Sequence, residues 1–232
     1  MDRNSNSYTF IYAAIMVILV AAILASVAMA LRPMQRKNYE IEKKQNILAS
    51  VNIQASATEA EEIFAENIQN MYVVNSEGEK TDGDAFNIDL KKESAKPLEE
   101  QRFPVFEFQA ESGLKYIFPL RGAGLWGPIW GFVALNSDMN TIYGANFDHQ
   151  GETPGLGAEI ATTWFEDRFK GKEIYNEAGE LVSITVTKPG QEAPEEHSVD
   201  GISGGTITSK GLEQMLLDDL GNYQEFLTKK KS

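Results

Sequence analysis

Apolar residues are spaced in three different ways along this chain, and each spacing predicts a different element. From Phe10 to Leu31 they run on with Ser26 as the one clear polar interruption. At about 1.5 Å per residue, roughly 20 such residues cross a hydrocarbon layer about 30 Å thick. The run therefore predicts one transmembrane helix, which Pro33 is placed to end. Beyond it the period becomes helical and amphipathic. Ile41, Ile47, Leu48 and Val51 share a face over 41–53, and Ile63, Phe64, Ile68 and Met71 share one over 58–71. Thr58 followed by Glu61 has the form of a capping box at the start of the second helix. Residues 75–101 are polar, interrupted by Gly78, Gly83 and Pro97, and read as loop. From Phe103 the pattern changes to short runs of aromatic and β-branched residues. Val105–Phe108, Lys115–Phe118, Ile129–Leu135 and Thr141–Phe147 read as strands, with Gly113 and Asp138-Met139-Asn140 at turns. Glu159–Phe169 reads as a helix and Leu181–Val186 as a strand. Leu212, Met215, Leu216, Leu220, Tyr223 and Leu227 fall along one side of a C-terminal helix. Antiparallel strands with segregated helices predict an α+β fold. The expected division is a short tail (1–9), the transmembrane helix (10–31), juxtamembrane helices with a loop-rich segment (32–102), and a globular domain (103–228).

Composition narrows what such a domain can do. The 232 residues hold 21 Lys+Arg against 34 Asp+Glu, a formal net charge of −13. That balance argues against nucleic acid or anionic lipid surfaces as partners, because both are bound through basic patches. There is no cysteine, which excludes disulfides, thiolate-bound iron–sulfur clusters and cysteine zinc sites from this chain. With two histidines far apart, no metal site is expected, so any electrons handled here need an organic cofactor. Ala28-Met29-Ala30 has the form of a signal-peptidase site. The apolar run is longer than a signal core, however, and Arg3 is the one basic residue before it, which favours a retained anchor. Arg32, Arg36, Lys37, Lys43 and Lys44 follow the helix, and the positive-inside bias would put the domain in the cytoplasm.

The densest chemistry lies in Asp200-Gly201-Ile202-Ser203-Gly204-Gly205-Thr206-Ile207-Thr208-Ser209. Adjacent glycines allow a backbone to curl round a ligand, and successive amides in such a bend form an anion nest. The start of the last helix adds free N–H groups and partial positive charge. The segment therefore predicts a phosphate seat with Thr206 and Thr208 hydroxyls at its rim and Ser203, Gly204 and Gly205 in its bend. Gly201-Ile202-Ser203-Gly204-Gly205 also matches the G-x-S-x-G nucleophile elbow. His149 and His197 both precede Ser203, the reverse of that fold's chain order, so a hydrolase triad is not supported and no catalytic side chain is expected. Two further loops flank this seat in the sequence. His149-Gln150-Gly151-Glu152-Thr153-Pro154-Gly155-Leu156-Gly157 leaves a strand and opens a helix. Arg121-Gly122-Ala123-Gly124-Leu125-Trp126-Gly127-Pro128 sets an aromatic in a glycine-rich turn, where Trp126 could stack on a planar ring.

Glu152-Thr153-Pro154-Gly155-Leu156-Gly157 and Ser203-Gly204-Gly205-Thr206, preceded by Gly124-Leu125-Trp126, resemble the FMN-binding domain of the NqrC family, one of the subunits of the sodium-translocating NADH:quinone oxidoreductase (Nqr). The RnfG component of the related Rnf complex has the same domain type. The Gly-Leu-Trp loop and Val133-Ala134-Leu135-Asn136 favour the Nqr family over its Rnf relative. The resemblance covers the anchor and most of the chain from Phe103 onward. It implies one covalent FMN per chain, held as a phosphoester on Thr206, within a sodium-pumping NADH:quinone reductase of the bacterial inner membrane. It further implies an extracytoplasmic domain, against the charge bias, a separate flavin transferase, and the other Nqr subunits as partners. The usual motif has alanine where this chain has Gly205. Ser203 and Thr208 are rival acceptors on chemical grounds alone. Glu152, Thr153, Gly155 and Leu156 are candidates to line the flavin, Leu125 and Trp126 to cover it, and Asp200 to cap or position the phosphate bend. Direct NADH binding is not expected: Gly122-Ala123-Gly124-Leu125-Trp126-Gly127 has the G-x-G-x-x-G spacing but lies between two expected strands and does not open a helix, so no recognisable dinucleotide-binding unit is present. The remaining alternatives are the Rnf-type FMN subunit and an anchored binding domain with no redox role.

Overall fold

A computed structural model describes residues 6–188 and 190–231, so Arg3 and the first part of the tail lie outside the described residues. The chain forms two compact units that divide after Lys43. The N-terminal unit is helical, part of α1 (Asn6–Ser50). Phe10, Ile11, Leu19 and Val20 are exposed around its circumference, the surface expected of a helix surrounded by hydrocarbon. Ser26 donates its hydroxyl to the Ala22 carbonyl at 2.8 Å, so its polar group is satisfied within the helix. Pro33 does not end the helix as expected but lies inside it. Proline removes one N–H and crowds the carbonyl four residues back, a local cost that a long helix with its other hydrogen bonds intact can absorb.

The second unit begins with the last turns of α1, where Ile47 and Leu48 are fully buried. α2 (Glu59–Asn67) follows and gives way to β1 (Ile68–Val74), so the helix expected to reach Met71 stops four residues short of it. Its capping box is also displaced. Ser56 and Glu59 exchange it, the Ser56 amide donating to Glu59 Oε2 at 3.0 Å and the Glu59 amide to Ser56 Oγ at 3.4 Å. β2 (Lys80–Thr81) and the short helix α3 (Leu90–Glu93) lie in the polar segment. β3 (Phe103–Ala110), β4 (Gly113–Ala123), β5 (Pro128–Asn136) and β6 (Ile142–His149) are the four strands read from the sequence. Together with β1 and β2 they make a six-stranded sheet in the order β2-β1-β3-β4-β5-β6, antiparallel at every pairing.

Both faces of this sheet are covered, which is why its strands read as nearly continuous apolar runs. Phe106, Phe108, Ile117, Phe132 and Ala134 pack with Ile47, Leu48, Val51 and Phe64 on one side. Val105, Phe118, Leu120 and Val133 face the other way, into a core completed by Leu212, Met215, Leu216 and Tyr223. The stretch expected as one helix over 159–169 is broken. It comprises a 3-10 turn (Gly157–Ala161), the single-turn α4 (Thr163–Glu166) and a second 3-10 turn (Asp167–Phe169). The expected strand at Leu181–Val186 is shifted to β7 (Thr185–Thr187), because Ser183 takes a left-handed φ of 56°. β7 pairs in parallel with β8 (Ser198–Asp200). The C-terminal helix is two helices, α5 (Thr206–Asn222) and α6 (Gln224–Lys231), joined at Tyr223, whose buried hydroxyl donates to the Pro104 carbonyl at 2.9 Å.

Candidate functional site

Three loops meet at the start of α5, and glycines set how close they come. β8 delivers the chain to a bend in which the Gly201 amide donates to the Thr187 carbonyl at 2.8 Å and the Gly205 amide to the Ile202 carbonyl at 3.0 Å. Gly204 holds φ at +75°, a conformation that costs an L side chain roughly 1 kcal/mol or more. A Cβ there would also sit 2.5 Å from Leu156 Cδ2, so the bend is covered directly by the neighbouring loop. Gly205 is the N-cap of α5, and no side chain among the described residues caps the helix. Its first-turn amides are therefore available to an outside acceptor.

The hydroxyls of this bend are not equivalent. Ser203 and Thr206 are exposed, whereas Thr208 is 1% exposed and donates to Glu152 Oε2 at 2.5 Å. Ser209 is also buried, its Oγ accepting from the Ile202 amide at 3.3 Å. Thr206 thus presents its side chain at the positive end of a 17-residue helix, beside the exposed Ile207. Lys210 pairs with Glu213 at 2.8 Å, and Glu213 in turn accepts from the Val186 amide at 2.6 Å.

The β4–β5 hairpin supplies the second side. The Gly124 amide donates to the Gly127 carbonyl at 2.8 Å, closing a tip that holds out Leu125 and Trp126, the latter 69% exposed. Close packing seats the base of this hairpin on α5: a Cβ at Gly211 would overlap the Ala123 carbonyl, and one at Gly122 would lie 2.7 Å from Met215 Cβ. The loop after β6 is the third side. Thr153, Gly155 and Leu156 are exposed there, Gly155 at φ +74°, and its amide donates to Glu159 Oε1 at 2.9 Å. Glu152, by contrast, is buried among all three loops. Its Oε1 accepts from the Trp126 amide at 2.8 Å while its Oε2 takes the Thr208 hydroxyl. Gly124 and Gly157 leave the room this carboxylate occupies, since a Cβ at Gly124 would lie 2.5 Å from Oε1 and one at Gly157 would overlap Oε2.

Asp200 stands at the entrance of the bend with its carboxylate 3.5 Å from Arg168 Nη1, and the same nitrogen donates to the Asp200 carbonyl at 3.2 Å. The Arg168 guanidinium lies 3.9 Å over the Trp164 ring. A cleft of about 670 Å³ opens between Arg168, Lys172, Thr187, Ser198 and Asp200, and Thr206 is not among its walls. Of the residues expected from the sequence, Leu125, Trp126, Glu152, Thr153, Gly155, Leu156, Ser203, Gly204, Gly205, Thr206 and Thr208 lie on these loops or on the helix start they surround, and Asp200 ends β8. Sequence reasoning passes over Gly211 and Arg168. Gly211 carries a visible signal, a glycine inside a helical pattern, which implies a close approach by another segment.

The arrangement suits a phosphorylated planar ligand: an exposed hydroxyl at an uncapped helix start, with exposed apolar side chains on the loops beside it. The comparisons with known proteins agree. Residues 124–220 match the family model described as an FMN-binding domain. The NqrC protein of the Na(+)-translocating NADH-quinone reductase from Vibrio anguillarum is 33% identical, with 98% of this chain and 96% of the relative covered. The crystal structure of the corresponding protein from Parabacteroides distasonis is 49% identical and superposes with a TM-score of 0.80 over 85% of this chain and 97% of the other. The Shewanella oneidensis NqrC structure, 26% identical, gives a TM-score of 0.71 over 83% and 97%. α1 is long and apolar enough to cross a membrane. The chain belongs to the NqrC family of Na(+)-translocating NADH-quinone reductase subunits.

Proposed function

We propose that this chain is the membrane-anchored FMN subunit of a sodium-translocating NADH:quinone reductase, with its FMN esterified through the phosphate to Thr206. The observation that carries the linkage is the contrast between two threonines two residues apart. Thr206 is exposed at the uncapped start of α5, while the Thr208 hydroxyl is buried and committed to Glu152. Family membership supports the cofactor and the complex.

FMN, when attached, supplies the redox chemistry, and the chain's residues hold and surround it. Thr206 Oγ1 would provide the ester oxygen: as its bond to the flavin phosphate forms, the phosphoanhydride bond of a flavin dinucleotide donor breaks, the hydroxyl gives up its proton and the nucleoside monophosphate half leaves. The first-turn amides of α5 and the Gly204 bend stabilise the remaining phosphate charge, each charge–dipole contact being worth about 0.3–1 kcal/mol. Contacts of that size alone would release the cofactor over many turnovers, and a covalent ester removes dissociation. Leu125, Trp126 and Leu156 are exposed apolar groups that cover a tricyclic ring and keep water from its faces, and Thr153 and Gly155 border the same space. Asp200, tied to Arg168, holds the entrance of the bend in place for esterification by a separate flavin transferase. The domain lies outside the cytoplasm, as the resemblance implies, and the basic residues after the apolar run then flank the membrane on that side. The subunit passes electrons between other members of the complex and does not itself bind NADH.

The test is denaturing electrophoresis of the full chain coexpressed with a flavin transferase. Flavin fluorescence should travel with the chain and disappear in Thr206→Ala. Fluorescence that survives this substitution refutes the linkage.

A further inference from the structure

Glu152 is a carboxylate buried among the three loops, and its two oxygens face different segments. One accepts the amide of Trp126 on the β4–β5 hairpin, and the other accepts the hydroxyl of Thr208 in the first turns of α5. These residues are 26 and 56 positions away in sequence, so the carboxylate closes two long loops at once. Gly124 and Gly157 lie against its two oxygens, and a Cβ at either position would occupy the space the carboxylate fills. Its own amide donates to His149 Nδ1 at 3.2 Å, fixing the backbone from which it reaches. Leu125 and Trp126, in contrast, are exposed; Gly122 and Gly211 seat the base of the hairpin on α5, and the carboxylate holds the tip beyond it.

We propose that Glu152 is a positioning residue: by accepting from the Trp126 amide and the Thr208 hydroxyl together, it sets the distance between the hairpin tip and α5, and thereby the slot in which a ring attached at Thr206 lies. The proposal rests on the flavin reading above and deepens it. Glu152 itself does not touch the ring. Its oxygens are both used behind the slot, and the surfaces offered to the ring are Leu125, Trp126 and Leu156.

The hydrogen-bonding capacity of each side chain yields a test that a general packing role would not pass. In Glu152→Gln, the amide oxygen still accepts from the Trp126 N–H. The amide NH2 faces Thr208, whose hydroxyl can turn round and accept. The clamp therefore survives the loss of charge. In the double variant Glu152→Gln with Thr208→Val, that NH2 has no acceptor, and a buried unpaired donor is costly. Two readouts follow. In the flavin-free full chain, hydrogen exchange at the Trp126 amide should accelerate by more than tenfold in Glu152→Ala and in the double variant, and stay near wild type in Glu152→Gln. In chains whose FMN adduct is confirmed by intact mass, iodide quenching of the flavin should rise severalfold in the same two variants and not in Glu152→Gln. Unchanged exchange and quenching in Glu152→Ala would overturn the proposal, as would a Glu152→Gln chain that loses as much as Glu152→Ala. If Glu152→Ala does not fold, the Gln variant and its double decide alone, and equal behaviour of that pair would overturn it. An unmodified wild-type chain would instead refute the flavin reading, while the exchange measurement still judges the clamp.

Discussion

Two glycines ten residues apart in α5 have opposite surroundings. A Cβ at Gly211 would overlap the Ala123 carbonyl, whereas at Gly221 it would meet nothing among the described residues within 4 Å. The front of α5 is thus pressed against the end of β4, the strand that continues into Leu125 and Trp126, and the rear is an ordinary amphipathic helix over the core. Backbone contact without an intervening side chain leaves little slack. Thr206 is consequently held in a fixed relation to the base of the hairpin, and the tip beyond it depends on the Glu152 tie.

The sharpest test of that contrast is Gly211→Ala. Helix propensity alone predicts a gain of about 1 kcal/mol for replacing an interior glycine by alanine. The collision with Ala123 predicts a loss of about 2–3 kcal/mol, read as a lower denaturation midpoint together with increased iodide access to the attached flavin. Next in size is Gly157→Ala, whose Cβ would overlap Glu152 Oε2 and lie 2.6 Å from Thr208 Oγ1. A loss of about 1–2 kcal/mol is expected, with the Trp126 amide exchanging faster because the clamp is forced open.

The rear of α5 responds instead to pH. Burial pushes Asp219 up to about 7, against the Arg121 amide that donates to it at 2.6 Å, and burial likewise raises Glu166 to about 7. Each holds its proton in the fold where the unfolded chain, at the ordinary 3.8 and 4.5, has released it. The stability each contributes is complete below those ordinary values and is lost as the pH rises through about 7. Asp219→Asn keeps an acceptor for the Arg121 amide and never ionises. Its melting temperature should approach wild type near pH 4 and exceed it at pH 8. The smallest effect belongs to Gly221→Ala, a gain of about 0.5 kcal/mol at a helix end with open space around it. A loss in that variant comparable to Gly211→Ala would erase the distinction between the two halves.

How much of this is legible in the sequence follows the range of the interactions. The strands β3 to β6 are readable because burial writes apolar runs directly into them. β1 is not, because Ile63, Phe64, Ile68 and Met71 fit a helical period while pairing with β3 converts Ile68–Val74 to strand. The capping box is recognisable as a type but falls two residues earlier than its sequence form suggests, since Thr58 and Ser56 are chemically alike and only geometry separates them. A local rule makes Pro33 a stop, and the helix on both sides of it prevails. In the site, the motif residues are visible because glycines, threonines and a loop tryptophan carry their chemistry in their types. The partners of Glu152 are not, since nothing local joins residue 152 to the amide of Trp126 and the hydroxyl of Thr208.

One measurement bears most directly on the account: proteolytic mapping of the flavin adduct by mass spectrometry on the full chain, coexpressed with a flavin transferase. A single FMN on Thr206, with Ser203 and Thr208 unmodified, is the predicted result. An adduct on Thr208 would contradict the buried Glu152 tie, and a chain carrying no flavin would contradict the function assigned to the site.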